Sequence, residues 1–276
     1  QLLNSDDYRA YVGGTTGLIY GFVNDGFYTV DDIKPFDSKS RTWTLKDGVV
    51  NSSPLSGDPR PGNAKFKKLT PVDENSANPY TLTDDDRTVI GNTTPKFSGG
   101  FGLNATFIGF DVSAFFNFMY DFDVFNANKV MMTTWASNNY NNFSMDISAA
   151  KRWRNFDDMG NEIRYSPEIL AEFNKNATMW NPTSIGRPIA MSYAVEDGSF
   201  LRLNTATIGY TLPRAWTNKV GLSRVRFYAS GYNLFTITGY SGYDPEVDIA
   251  TGLTPNIDNN RYPRSRTYTF GVQLTF

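Results

Sequence analysis

The stretch "RTYTFGVQLTF", residues 266–276, decides the fold because its side chains alternate without a break. A period of two is that of a β-strand with one apolar face and one polar face. Its length also matches the about 9 to 11 residues that a tilted strand needs to cross a bilayer. The stretch therefore predicts a regular strand whose apolar face meets either lipid or a protein core. The apolar set is Tyr268, Phe270, Val272, Leu274 and Phe276.

The same alternation occurs upstream. The segment "PKFSGGFGLNATFIGFDVSAFFNFMY", residues 95–120, predicts a hairpin of two long strands with a tight turn at Ile108 and Gly109. Residues 223–236 place Arg224 and Arg226 on the face opposite their apolar neighbours. Arginines are tolerated in a membrane strand where they point into a wet lumen. Both segments therefore fit a sheet with a lipid face and a lumenal face.

Two further segments predict strands with irregularities. Residues 199–212 alternate, but their parity changes near Thr205, which predicts a β-bulge or register change. Residues 8–22 predict a first strand that is interrupted by glycines. The chain would then contain about six strands, fewer than the about eight of the smallest bacterial membrane barrels. Because open edges are not viable in lipid, we expect strands 8–22 and 266–276 to pair with backbone of a larger barrel.

The predicted connections alternate between short and long. Two of them are short, at residues 108–109 and 211–222, whereas the other three are roughly 70, 75 and 30 residues long, more than compact soluble domains usually carry. Bacterial barrels show this alternation, with short periplasmic turns and long extracellular loops. The spacing therefore favours a barrel whose long loops all lie on the extracellular side.

Composition by itself fits both a membrane barrel and an aromatic-rich soluble β-sandwich. Aromatic residues make up 15% of the 276 residues and glycine occurs 23 times, yet mean hydropathy is −0.41. Barrels combine these features because alternate residues face lipid and lumen. No apolar run approaches the about 18 residues of a transmembrane helix, and "QLLNSDDYRA", residues 1–10, has none of the features of a signal peptide.

The residue types present argue against an enzyme. Histidine and cysteine are both absent, which excludes Ser-His-Asp and Cys-His catalysis, disulfides and the usual zinc ligands. Asp244, Glu246 and Asp248 in "YDPEVD" are the remaining candidates, because paired carboxylates hydrolyse glycosides when held across a bond. Pro245 places them in a loop, so we expect no catalytic residue and no cofactor. A net charge of −2 gives no reason to expect nucleic acid.

Several segments resemble one family. The stretches "VEDGSFLRLNTATIGYTLP" (195–213), "GLSRVRFYASGYNLFTITGYSGYDPEV" (221–247) and "YPRSRTYTFGVQLTF" (262–276) resemble the end of SusC/RagA-type TonB-dependent outer-membrane transporters of Bacteroidetes. The stretches "DDDRTVIGNTTPKFSGGFG" (84–102) and "YVGGTTGLIYGFVNDGFYTVDD" (11–32) resemble their upstream segments. The motifs follow the family's order along nearly the whole chain.

The resemblance implies a fold and a function. Residues 1–276 would be the carboxyl-terminal segment of an all-β, antiparallel transmembrane barrel of about 22 strands, with its last six or so strands and long extracellular loops. Family members also have a plug and a TonB box, neither of which this chain contains. They import oligosaccharides or peptides beneath a SusD-like lipoprotein. The final aromatic residue, Phe276, would be the signal for assembly and barrel closure.

Partners and location also come from the resemblance. It implies contact with the remainder of the barrel including its plug, with a SusD-like lipoprotein, with outer-membrane lipid and with an oligosaccharide or peptide substrate. TonB would act through the plug segment outside this chain. The expected location is the cell outer membrane, and the alternative function is that of a soluble β-sandwich that binds glycans.

One segment departs from the family pattern. In many relatives the part before "DDR" resembles an aspartate-rich calcium loop, whereas here it is "KKLTPVDENSANPYTLTDDDR", residues 67–87. The D-x-[DN]-x-[DN]-G spacing that would surround calcium with oxygen ligands is missing. We therefore expect Asp84, Asp85 and Asp86 to form a solvated turn, with no metal site.

The long loops carry the candidate substrate contacts. Flat rings stack on sugars and peptide groups, but loop aromatics also pack against one another or against a lid, and we favour packing. The stretch "SPEILAEFNK", residues 166–175, predicts a short helix with Pro167 in its first turn. The candidate rings are Trp135, Trp153, Tyr240 and Tyr243.

Overall fold

The computed structural model describes residues 7–40, 42–134, 142–186, 189–247, 252 and 254–276. Its strands are β1 Tyr8–Arg9, β2 Leu18–Gly21, β3 Asn24–Phe27, β4 Ala64–Phe66, β5 Thr88–Asn92, β6 Phe97–Phe107, β7 Phe110–Tyr120, β8 Asp123–Asn126, β9 Val195–Asp197, β10 Phe200–Thr211, β11 Arg224–Thr238, β12 Ile257–Asp258 and β13 Thr267–Thr275. Its α-helices are α1 Ser53–Ser56, α2 Ala127–Thr133, α3 Pro167–Phe173 and α4 Arg214–Thr217. None of the helices in these ranges has the length and apolarity to cross a membrane.

Five long strands form one antiparallel sheet, which we call the barrel sheet, in the order β13-β11-β10-β7-β6. The β6–β7 turn has positive φ at Ile108 (45°) and Gly109 (79°). Positive φ at both central residues is the type I′ geometry that matches the twist of a two-residue hairpin. The predicted hairpin and its turn are confirmed.

A bulge in β10 keeps its apolar residues on one side of the barrel sheet. Its pairing with both neighbouring strands shifts between Leu203 and Thr205. Asn204 is the extra residue, since Leu203 and Thr205 lie opposite the consecutive residues Phe116 and Phe115 of β7. This extra residue compensates for the change of parity in the sequence, and the predicted bulge is confirmed.

The pairing register gives the barrel sheet an apolar face and a polar face. For example, Val272 of β13 lies opposite Phe227 of β11, while Gln273 lies opposite Arg226. Because side chains alternate across a strand, each register pair shares one face. The apolar face includes Phe101, Leu103, Phe107, Phe110, Val112, Ile208, Tyr210, Phe227, Phe270, Val272 and Leu274, and the polar face includes Asn104, Thr106, Asp111, Ser113, Thr207, Arg226, Ser230, Thr269 and Gln273.

Residues 8–22 form strands interrupted by glycines, as predicted, but the prediction that they belong to the barrel is wrong, because they lie outside the barrel sheet. Gly13 and Gly17 have positive φ and interrupt the segment, which forms two short strands, β1 and β2, that pair with each other and with β5. Ile19 of β2 is fully buried in a core outside the barrel sheet. Within the described residues, the edges of the barrel sheet are therefore β6 and β13.

The long connections form a folded unit, which we call the cap, rather than separate loops. One core joins residues far apart in sequence, such as Phe66, Phe125 and Trp180. A second, smaller core contains Leu170 of α3, and the predicted helix with Pro167 in its first turn is confirmed. Because these cores bury large side chains, the cap has a defined shape above the end of the barrel sheet.

Candidate functional site

On the polar face, an ion pair joins β7 to β11 across the strand between them, β10. Arg226 Nε on β11 donates to Asp111 Oδ1 on β7 at 2.9 Å. Gly209 of β10 lies beneath this pair, and a Cβ there would be 2.4 Å from Arg226 Nη2 and 2.6 Å from Asp111 Oδ1. The bridge therefore forms because the strand between its partners has no side chain at this position.

An aromatic ring extends the same cluster toward the last strand. The Arg226 guanidinium carbon lies 5.2 Å from the ring centroid of Tyr228. The Tyr228 ring in turn covers Gly271 of β13, where a Cβ would be 2.4 Å from the ring. Asp111, Arg226 and Tyr228 thus form a cluster on the polar face of the barrel sheet, across four neighbouring strands and over two glycines.

A second ion cluster joins the barrel sheet to the cap. Arg202 of β10 is buried, and its Nη2 donates to Asp244 Oδ1 at 2.5 Å. Arg264 Nη2 lies 2.7 Å from Glu246 Oε1, and Arg202 Nη1 lies 3.6 Å from Glu246 Oε2. Asp244 and Glu246 are thus neutralised by arginines, as expected of a structural link. Asp248 lies outside the described residues.

The prediction that the three aspartates form a solvated turn is right for Asp84 and Asp85 but wrong for Asp86. Asp86 is buried, and it accepts from the backbone N–H groups of Leu69 (3.0 Å), Thr70 (2.8 Å) and Thr83 (2.9 Å). Burial opposes its ionisation, but these donors, the Thr70 hydroxyl and Lys68 hold the pKa of Asp86 well below its usual range. Asp86 therefore fixes the 67–70 segment to the turn at 83–86.

The predicted substrate rings have different surroundings. Trp135 lies outside the described residues. Trp153 is buried, with its ring centroid 5.5 Å from that of Phe27. Tyr240 is buried too, and its hydroxyl donates to Asp258 Oδ2 at 2.7 Å, so burial and this carboxylate raise its pKa. These two rings pack within the cap and present no face for stacking, whereas Tyr243 is exposed.

Sequence patterns missed one aromatic group on the cap. The ring centroids of Phe36 and Trp43 lie 4.8 Å apart, and those of Phe36 and Tyr165 lie 4.6 Å apart. Trp43 also lines an adjacent groove of about 390 Å³, with Val30 and Pro167 among its other lining residues. No local motif could reveal this group, because its members come from two connections far apart in sequence. In the described ranges, no cluster of three or more aspartates and glutamates is arranged to hold a metal.

Comparison with known proteins gives consistent relatives, although no protein-family model matches the chain. The chain is 32% identical over 270 residues to TonB-dependent receptor P3 of Formosa agariphila, covering 96% of this chain and 22% of the receptor. It is 32% identical over 164 residues to TonB-dependent receptor SusC of Bacteroides thetaiotaomicron, covering 54% and 15%. The chain thus spans less than a quarter of the length of these two curated relatives.

Solved structures agree with this similarity. The RagAB peptide importer in its closed-closed state matches with a TM-score of 0.59 and 22% identity, over 98% of this chain and 25% of the importer chain. The open-open state matches with a TM-score of 0.58 and 22% identity, over 94% and 22%. At this identity the likeness shows the fold.

The barrel sheet, its two unlike faces and the folded connections at one end define the class of the protein as part of an antiparallel transmembrane β-barrel. Within that class, the chain belongs to the SusC/RagA-type TonB-dependent receptors and matches a carboxyl-terminal part of them. These relatives are receptors and transporters rather than enzymes.

Proposed function

We propose that this chain forms part of the wall and the extracellular cap of an outer-membrane receptor that imports oligosaccharides or peptides in a TonB-dependent way. The observation that carries the proposal is the apolar face of the barrel sheet. Phe107, Phe270 and Val272 on this face are all exposed. Large apolar patches exposed on a protein surface mark contact with another protein or with a membrane. Of these two, a membrane fits better, because regular strands with apolar side chains at every second position are typical of the lipid-facing surface of a β-barrel.

The open edges of the barrel sheet support the same proposal. In the described residues, β6 pairs only with β7 and β13 only with β11. Unpaired backbone groups cost several kcal/mol each in hydrocarbon. We therefore infer that further strands of the receptor pair with β6 and β13 and close the barrel, with a plug against the polar face.

The connections suggest an orientation. The turns at 108–109 and 212–223 lie at one end of the barrel sheet, and the cap lies at the other. Since short turns are periplasmic and long loops extracellular in bacterial barrels, the cap would face the outside of the cell. An exposed, folded cap is a suitable platform for a SusD-like lipoprotein.

We assign cargo recognition to aromatic rings of the cap, of which Tyr243 and Tyr165 are exposed and Phe36 and Trp43 are half-buried. Tyr243 and the group of Phe36, Trp43 and Tyr165 offer flat aromatic surface, which stacks on both sugar rings and peptide groups. The solved neighbours are described as a peptide importer, which supports peptides as one cargo class. The alternative, a soluble glycan-binding β-sandwich, is less favoured because no second sheet covers the apolar face in the described part of the chain.

Uptake by the intact receptor tests this function. Cells that contain the receptor should accumulate labelled peptides or oligosaccharides, and removal of TonB should abolish the accumulation. The Tyr243→Ala and Trp43→Ala variants should reduce uptake without lowering receptor abundance in the membrane fraction. Lys39→Ala, at an exposed position of the cap, is the matched control. Uptake that continues without TonB would contradict the proposal.

The lipoprotein partner is tested separately. A tagged receptor should co-purify a SusD-like lipoprotein. Charge introduced at the exposed cap residue Met159, as Met159→Glu, should reduce its recovery, because a charge is costly in a protein interface. Recovery that is unaffected by Met159→Glu would place the lipoprotein on another part of the cap, and failure to recover it with the wild-type receptor would contradict this partner.

A further inference from the structure

Residues 212–223 connect β10 to β11, and we call this connection the basal turn. It contains helical structure, although a short loop could join the two strands. Helix α4, Arg214–Thr217, continues into a 3-10 turn over Asn218–Val220. Gly221, with φ of 73°, ends this helical run. The basal turn lies at the end of the barrel sheet opposite the cap, beside the β6–β7 hairpin turn. A helical run at this end of the barrel sheet is more structure than the connection between two adjacent strands needs.

Burial at the adjacent end of β11 indicates which face the basal turn covers. Val225 belongs to the apolar face, as its register partner Leu274 does. Leu274 is 49% exposed and Phe227 is 47% exposed, but Val225 is only 6% exposed. Helix α4 contacts β11, and the Leu212 N–H donates to the Val225 carbonyl O at 2.9 Å. From the burial of Val225 we infer that the basal turn covers the apolar face at this end of β11.

The residues of the basal turn form an amphipathic pattern. Thr217 is buried, whereas Trp216 is 61% exposed and Val220 is 69% exposed. Trp216 and Val220 lie four residues apart in this short helical run, and both side chains are open to the surroundings. A large indole and a valine thus remain open at the margin of a surface that is itself apolar.

The charges near these two residues are of one sign. Arg214, Lys219 and Arg224 are the charged residues of 212–224, and all three are basic. Arg214 and Lys219 have no ion-pair partner among the residues that the structure describes, while Arg224 Nη2 donates to the Thr211 hydroxyl at 3.4 Å. Unpaired cations beside exposed apolar side chains match the chemistry of phospholipid headgroups above an acyl layer.

We propose that the basal turn is an interfacial anchor that binds phospholipid of the periplasmic leaflet. Trp216 and Val220 enter the boundary between headgroups and acyl chains, where tryptophan is favoured, and Arg214 and Lys219 bind headgroup phosphates. This inference rests on the proposed membrane function and its orientation. The anchor fixes the depth of the β10–β11 hairpin in the bilayer, next to the Asp111–Arg226 bridge on the opposite face.

Fluorine NMR of the intact receptor tests the anchor. The receptor is labelled with 5-fluorotryptophan and reconstituted in vesicles of phosphatidylethanolamine and phosphatidylglycerol, and the Trp216 signal is assigned by its loss in Trp216→Phe. Spin-labelled lipid with the label near the headgroup should broaden this signal more than lipid labelled deep in the chain. A second reporter, Phe270→Trp, should show the reverse order, because Phe270 lies in the middle of β13 on the apolar face.

The two reporters separate the possible failures. If the Phe270→Trp reporter is broadened by deep labels but Trp216 is broadened only by a water-soluble agent, the anchor is overturned and the membrane function stands. If neither reporter is broadened by labelled lipid, the membrane function itself fails.

The charges have their own test. The Arg214→Gln/Lys219→Gln double variant should lose preference for phosphatidylglycerol over phosphatidylcholine in native mass spectrometry, by about fivefold for each cation, which corresponds to about 1 kcal/mol per basic residue near an anionic surface. Lys39→Gln in the cap is the matched control. An unchanged preference in the double variant would overturn the role of the two cations.

Discussion

The barrel sheet and the cap place the same residue types in opposite positions. Phe270 in the barrel sheet is 79% exposed, whereas Phe125 in the cap is 1% exposed. Both sides of this contrast follow from one rule, that apolar surface avoids water. In the cap it does so by packing inward, and in the barrel sheet, under the proposed function, by facing lipid. The proposal therefore assigns the two regions to two different solvents within one chain.

Polar groups follow the reverse pattern in the two regions. The cap buries Asp86 and surrounds it with backbone donors and Lys68. The barrel sheet keeps Asp111 and Arg226 on the polar face, where they pair with each other. Since an unpartnered buried charge is costly, each region supplies partners from its own neighbouring segments.

The largest expected effect compares the two phenylalanines. Phe125→Ala should create a cavity in the cap core and destabilise it by about 3–5 kcal/mol. Limited proteolysis of the intact receptor should then cut the cap. The matched change Phe270→Ala should leave protease resistance of the cap unchanged, because fluid lipid fills the space. If both variants expose the cap equally, the two regions are not independent.

The next largest effect compares neighbouring residues of β13, whose side chains lie on opposite faces of the barrel sheet. Val272→Arg should cost about 2–4 kcal/mol if the residue lies near the bilayer midplane, while Gln273→Arg, on the lumenal face, should be tolerated. The measurement is the amount of assembled receptor in the outer membrane. Val272→Phe should also be tolerated in lipid, whereas a close-packed core would resist the added volume by about 1–3 kcal/mol. Equal loss of assembly for Val272→Phe and Val272→Arg would indicate a protein core.

A smaller effect is expected at the Asp111–Arg226 ion pair on the polar face. Gly209→Ala should displace the Asp111–Arg226 bridge and cost about 1–3 kcal/mol, as overpacking does. Gly102→Ala is the matched control on the same face, because its Cβ would meet its nearest atom at an ordinary 3.7 Å. Unfolding of the refolded receptor in urea should show a lower midpoint for Gly209→Ala alone. Equal midpoints for the two variants would show that the bridge accommodates a Cβ.

The smallest effect at neutral pH is the titration of Asp86. Its pKa is lowered in the folded cap, so its stabilisation is fully present above the unfolded pKa of about 3.9 and is lost as the pH falls through the lower folded pKa. Protease resistance of the cap should therefore decline below about pH 4. The Asp86→Asn variant should be less stable at pH 7 and should show a flatter dependence. An equally steep decline in this variant would assign the transition to other groups.

The barrel sheet could be predicted from sequence because the alternation of apolar and polar residues is visible within each single strand. Alternation over single strands gave five of the expected strands, and the parity change located the bulge at Leu203 and Thr205. It failed at residues 8–22, where a glycine-broken alternation does not specify which strand will be the partner. There the cap core decided the outcome through Ile19.

The cap was largely unpredictable because its contacts join distant segments. Burial of Asp86 depends on the backbone of Leu69 and Thr70, and the aromatic group depends on Trp43 meeting Tyr165. One local signal was available, since Thr83 and Asp86 have the spacing of a capping box. That spacing indicates a structural role for Asp86 at the start of a helical turn.

Cysteine accessibility along β13 tests the central claim most directly, since this chain contains no cysteine. Single cysteines at residues 270 to 274 of the intact receptor, with any cysteine elsewhere replaced, would carry a spin label in lipid vesicles. Collisions with oxygen, which concentrates in lipid, should be frequent at 270, 272 and 274, and collisions with a water-soluble nickel complex should be frequent at 271 and 273. If the apolar face meets lipid, oxygen accessibility should therefore alternate from residue to residue, with its maxima at 270, 272 and 274. Uniform accessibility, or the opposite phase, would contradict it.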